Sequence, residues 1–116
     1  MKIIRFDDIA QVPASHEDPK DPGTVKRVLI KAQDEIHGTI QMINWAILLP
    51  GKTVAGHFHH DMQELFIMLQ SGIVATIENK KISLGRGDAL VVDAGEKHEM
   101  KNPSAAPIEY IVVGIA

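Results

Sequence analysis

The stretch GKTVAGHFHHDMQE, residues 51–64, places three of the chain's six histidines within four positions and follows them with a glutamate. In a β-strand, side chains two apart share a face, with their backbones roughly 7 Å apart. His57 and His59 would then point the same way and could converge on one ion. His60 has the opposite parity, which places it beside such a site or in solvent. Glu64 lies beyond a short turn through Asp61 and Met62, so a returning antiparallel strand could bring its carboxylate against the same face. Gln63 would take that role only if Glu64 does not. A fourth donor must come from elsewhere, and His98, after the turn-forming Gly95-Glu96-Lys97, is the obvious candidate. Taken singly, each residue reads more readily as a surface or hydrogen-bonded strand residue; only their combination points to a metal.

Working outward, the chain is a succession of short apolar, β-branched runs: residues 25–30, 39–49, 64–69, 73–78, 81–84, 89–92, 98–101 and 108–113. Turn residues separate them at Pro50-Gly51, Ser71-Gly72, Asn79-Lys80, Gly85-Arg86-Gly87, Ala94-Gly95 and Asn102-Pro103. Residues 13–23, with three prolines and a glycine, cannot continue a helix or a central strand and form a loop. Short strands with turns every 8 to 12 residues or so indicate an all-β sandwich or barrel. His16 in the loop and His37 in the turn expected at residues 35–38 read as solvated. Gly85-Arg86-Gly87 is a hairpin turn rather than a phosphate loop, since no helix pattern follows it.

The glycine framework around the histidines resembles that of the cupins, whose two motifs are G-x5-H-x-H-x(3 or 4)-E-x6-G and G-x5-P-x-G-x2-H-x3-N. Gly51, His57, His59 and Glu64 match the first motif, with its closing glycine, Gly72, one residue late. Gly87, Gly95, His98 and Asn102 match the second at every spacing, with Asp93 in place of the proline. The late glycine implies a longer hairpin turn; the Asp93 exchange implies a looser turn and an added charge near the site. The motifs span residues 51–72 and 87–102. The resemblance implies a double-stranded β-helix, the jelly-roll cupin barrel, as a single domain over residues 1–116. It also implies that His57, His59, Glu64 and His98 hold one divalent transition metal ion: Mn, Fe, Ni, Cu or Zn.

If the ion sits inside the barrel, Phe66 and Met68 share the face of Glu64, and Met100 that of His98, giving an apolar pocket with His60 and Gln63 at its margin. Its ligand is a small molecule. The function expected is metal-dependent chemistry on a small organic compound (dioxygenation, isomerisation or decarboxylation), the alternative being a non-catalytic metal-containing binding or sensing module. A cofactor-free sugar-nucleotide epimerase is disfavoured because the whole ligand set is present. No catalytic residue beyond the ligands stands out; His60 and Glu99 are weak candidates for a general base.

Composition narrows the remaining classes. The chain has 116 residues, enough for one core. It has no cysteine, so a metal must be bound through nitrogen and oxygen. A net charge of -3, scattered lysines and arginines, and 4% aromatic residues argue against nucleic acid. No apolar run reaches the roughly 18 residues of a membrane span, and no secretory signal opens the sequence, so a cytoplasmic location is expected. The family resemblance implies a homodimer, for which the strand-like N-terminal segment through Ile9 is a candidate edge.

Overall fold

A computed structural model of the chain describes residues 1–15, 17–31 and 36–116. The solvated setting expected for His16, and the start of the turn expected at residue 35, lie outside these. The described residues form eleven strands and one short 3-10 turn. The strands are β1 (Lys2–Ile4), β2 (Val12–Pro13), β3 (Val25–Lys26), β4 (Ile40–Leu48), β5 (Thr53–His57) and β6 (Gln63–Met68). After these come β7 (Ile73–Ile77), β8 (Lys80–Leu84), β9 (Ala89–Val92), β10 (His98–Lys101) and β11 (Ile108–Ile115). A five-stranded sheet in the order β1-β9-β6-β11-β4 faces a four-stranded one in the order β5-β10-β7-β8, and β2 pairs only with β3. All pairings are antiparallel. This is the double-stranded β-helix architecture.

Alternation makes the core. β6 runs with Glu64, Phe66 and Met68 buried and their neighbours half-buried, and β11 buries Ile108, Tyr110, Val112 and Gly114. These side chains meet Ile73, Ala75 and Ile77 from β7 and Met100 from β10 across the space between the sheets. Each sheet supplies one apolar face, and burying both faces together is what holds them.

Several expectations shift. Residues 25–30 were expected to form one strand, but only Val25–Lys26 pair, and Arg27 turns its Nε to the Ile9 carbonyl at 3.0 Å. The N-terminal strand ends at Ile4, followed by the 3-10 turn Phe6–Asp8. β1 pairs with β9 of its own sheet, leaving its other edge as the sheet's rim. The β7–β8 hairpin turns on Glu78-Asn79 rather than Asn79-Lys80. Both residues have positive φ (46° and 70°), the pattern of the tight turn whose twist matches paired strands. The unfavourable conformation at Glu78 is offset by ties to Lys97: Lys97 N donates to Glu78 Oε1 at 2.7 Å, and Glu78 N donates to Lys97 O at 2.9 Å.

Candidate metal centre

His57 ends β5 and His98 opens β10, and the two are direct register partners in the four-stranded sheet. Glu64, second residue of β6, faces them from the five-stranded sheet. His59 lies past the end of β5, so the strand-parity argument reaches only His57; the turn that follows brings His59 round instead. One hydrogen bond ties that turn to the second half of the site: Gly95 N donates to His59 O at 2.7 Å. Gly95 has φ +84°, a conformation that suits glycine and places the turn before His98 against the His59 backbone.

Together, one donor atom from each of His57, His59, Glu64 and His98 lies within 4.8 Å of the others. Donors about 2.1 Å from a common centre lie within roughly 4.2 Å of each other. His57 is exposed and His59 half-buried, so the small closure falls on side chains with room to move. Glu64 and His98 are buried, and here the site shows its chemistry. Glu64 Oε1 and His98 Nε2 stand 2.9 Å apart, yet neither has a hydrogen-bond partner. With the His98 hydrogen on Nδ1, facing Glu96 O, two buried acceptors confront each other here, which is costly unless a proton or an ion binds both. His59 Nε2 approaches the same Glu64 oxygen at 3.2 Å.

The ring orientations agree. His57 Nδ1 lies 2.9 Å from Ala55 O, and His98 Nδ1 lies 3.0 Å from Glu96 O. A carbonyl only accepts, so each Nδ1 carries the hydrogen and each Nε2 is left to bind an ion. Burial alone would raise the Glu64 carboxyl, but His98, then His59 and His57, hold it below its ordinary value. Burial likewise opposes charge on His98, and the Glu64 carboxylate and Glu96 carbonyl raise it nonetheless. The residues therefore fit a cation: an ionised carboxylate and imidazole nitrogens aimed at one point.

The cupin domain model matches residues 44–114. The chain belongs to the cupin family. Among curated proteins, this cupin is 25% identical over 64 residues to the tetracenomycin polyketide synthase protein TcmJ of Streptomyces glaucescens. That alignment covers 55% of this chain and 43% of TcmJ, so the chain spans less than half the length of that relative. Among solved structures, it resembles a predicted oxalate decarboxylase from Thermotoga maritima (26% identity, TM-score 0.62, 66% of each chain). A sugar phosphate isomerase of the cupin superfamily from Silicibacter pomeroyi matches at 25% identity and TM-score 0.59, over 64% of this chain and 49% of that one. The Thermus thermophilus protein TT1209 matches over 97% of this chain and 87% of its own, at 20% identity and TM-score 0.62, a likeness of fold.

Beside the ligands this cupin has a cavity of about 170 Å³, lined by His57, Glu64, His98, Phe66 and Met100 together with Met42, Asn44, Ala46, Val54, Tyr110 and Val112. Phe66 and Met100 are where strand parity put them. Met68, also placed in the pocket by parity, lies one step deeper in the core. His60 is exposed, its ring edge-on to Phe58 at 4.8 Å. Gln63, which opens β6 with the parity opposite to Glu64, donates Nε2 to Asp93 Oδ1 at 2.9 Å and accepts from His37 N at 3.0 Å. Neither His60 nor Gln63 lines the cavity. Asp93 correspondingly ties its turn where looseness was expected, its own N donating to Glu96 Oε1 at 2.8 Å. The longer turn before Gly72 leaves Glu64 in place, since it lies at the far end of β6.

Sequence reasoning missed Tyr110 and Asn44, the cavity's polar groups apart from the ligands. Alternation along β11 could have found Tyr110, which pairs with Met68 of β6, once that strand's inner face was known. Burial, and then the Glu64 carboxylate, raise the Tyr110 hydroxyl above its ordinary value, so it stays protonated and can donate.

Proposed function

We propose that this cupin is a metal-dependent enzyme that binds one divalent transition metal through His57, His59, Glu64 and His98 and acts on a small, largely apolar organic molecule. The carrying observation is the cavity lining: among the described residues, apart from the proposed ligands only Asn44 and Tyr110 are polar, and no lysine or arginine is present. A bound ion of this kind supplies Lewis-acid polarisation or redox chemistry, compatible with isomerisation, decarboxylation or dioxygenation. The chain's own residues do the rest. Phe66, Met100 and Val112 exclude water, while the Tyr110 hydroxyl and Asn44 amide are placed to orient an oxygen of the substrate.

The relatives named as an oxalate decarboxylase and a sugar phosphate isomerase act on charged substrates by their names. Here, beyond the ion itself, a phosphate would meet no lysine or arginine among the described residues lining the cavity, and about 170 Å³ is small for a sugar phosphate. An enol, a phenol or a short monoacid fits better, its negative oxygen facing the ion and its carbon body the apolar wall. One observation favours the second reading, a non-catalytic metal-containing binding module: neither candidate general base reaches the cavity. His60 is exposed, and Glu99 lines a separate depression beside Thr76 and Lys97.

Elemental analysis of the purified protein, followed by a turnover panel of enolisable and phenolic compounds with and without oxygen, tests both readings. His59→Ala is the informative variant because His59 is partly exposed and its loss leaves the core packed. Turnover that disappears in this variant with the fold intact supports the enzyme. Tight ligand binding without turnover across the panel supports the module. A protein that takes up none of the five metals overturns both.

A further inference from the structure

A second cavity lies on the opposite, outer face of the five-stranded sheet, where residues 25–29 cross β6, and its volume of about 390 Å³ falls in the range of small-molecule sites. Ile67, of outward parity on β6, forms part of its floor with Leu29 and Leu69, and Phe6 walls one side. Lys26, Arg27 and Arg86 also line it, and among the described residues no aspartate or glutamate does, in a chain whose net charge is -3.

Among the described residues, no carboxylate neutralises these charges. Arg27 stacks its guanidinium 4.2 Å over the Phe6 ring and, among the described residues, uses only Nε, on Ile9 O at 3.0 Å. Arg86 stands 5.8 Å from the same ring, and among the described residues its guanidinium makes no hydrogen bond or ion pair. Lys26 Nζ meets a neutral partner, Ser15 Oγ, at 3.1 Å. Arg5 nearby is a contrast, since Asp88 neutralises it at 2.7 Å. The aromatic wall is itself fixed. Phe6 N donates to Asp88 Oδ1 at 3.0 Å, and the ring packs so closely on Gly87 (φ +83°) that a Cβ there would come within 2.4 Å of it. Two guanidiniums with open N–H edges, flanking one anchored ring over an aliphatic floor, match a carboxylate carried on a flat apolar body.

We propose that this groove is a binding site for a small aromatic monocarboxylate, separate from the metal centre and independent of it. Benzoate is the probe and benzamide its neutral counterpart. In calorimetric titration of the purified protein, benzoate should bind at least about tenfold more tightly than benzamide, and Arg86→Gln should weaken benzoate about tenfold, the worth of one charge-assisted contact. Arg27→Gln should do the same. His59→Ala should leave benzoate binding unchanged, which separates this groove from carboxylate binding at the ion. Among the described residues the Arg86 side chain makes no hydrogen bond or ion pair and only a 5.8 Å approach to the Phe6 ring, so the fold should survive its replacement. No benzoate binding, equal affinity for the two probes, binding indifferent to Arg86→Gln, or binding lost in His59→Ala would each overturn the proposal.

Discussion

Glu64 and His98 stand at the centre of the candidate site because, among the described residues, Glu64 Oε1 and His98 Nε2 are buried with no hydrogen-bond partner. Replacing Glu64 by glutamine removes the carboxylate while keeping its shape, and should lower affinity for a divalent ion by more than the 10- to 100-fold or so typical of an outer-shell change. Metal content after dialysis, with circular dichroism to verify the fold, measures it. Proton competition gives a second prediction. The His98 imidazole is raised above its ordinary 6.5, so its Nε2 must lose a proton before it can bind an ion, whereas the depressed Glu64 carboxyl is already ionised. Ion affinity should therefore be highest in mild base and fall as the pH drops through a value above 6.5, with proton release on binding. Metal titrations in buffers of different ionisation enthalpy would detect the released proton; affinity that rises on acidification would contradict the assignment.

Strands and turns show what the sequence made legible and what it did not. The eight apolar runs and their turns identify the strands, and the motif spacing anticipates the register that sets His98 against His57. The fold and the four converging side chains were therefore readable in outline. β4 was not. Its large apolar residues Ile43, Trp45 and Ile47 point outward, while Met42, Asn44 and Ala46 face the cavity, so hydrophobicity alone selects the wrong face. An inner face that must leave room for a ligand cannot be recognised by its apolarity. Conversely, Asn102 reads as a turn residue, and Asp88 draws no notice in the sequence, but both hold elements together. Asn102, fully buried, donates to Leu48 O at 2.9 Å and Ala106 O at 2.7 Å and accepts from Ser104 N at 2.9 Å. Asn102→Ala should cost about 3 kcal/mol by stranding these groups, read as a lower urea midpoint. Burial would raise the Asp88 carboxyl, but the Gly85 and Phe6 amides and Arg5 hold it below its ordinary 3.8. Its stabilisation is complete above that value and is lost as the pH falls through the lower folded one. The stability gap between the wild type and Asp88→Asn should therefore be full near neutrality and shrink below about pH 4.

At the scale of the molecule, the outward face of β4 is the feature that a lone chain explains least. Ile40, Ile43, Trp45 and Ile47 on β4, with Leu49 just past its end, are 54–65% exposed, and β4 is also the rim of its sheet, its outer edge unpaired among the described residues. An open edge and an apolar strip on one strand make a sticky surface that proteins ordinarily cover. We propose a second copy of this chain as the cover. Antiparallel pairing of β4 with its two-fold mate would satisfy both edges at once, a self-complementary arrangement that a different partner would have to imitate. The five side chains offer roughly 500 Å² and the nine-residue edge adds main chain, approaching the 800 Å² or so per partner of a stable interface. The N-terminal segment, whose β1 pairs with β9 on one side and forms the opposite rim, is the other candidate edge, but it lacks an apolar strip like that of β4. Because Asn44 on the same strand lines the cavity, such a dimer would stiffen one wall of the metal site. Trp45→Glu places a charge in the middle of the strip and should convert a dimer to a monomer at micromolar concentration, with the melting temperature becoming independent of protein concentration. Sedimentation velocity on both proteins decides it: a wild type that is already monomeric, or a Trp45→Glu variant that still dimerises, would show that β4 is not where two copies meet.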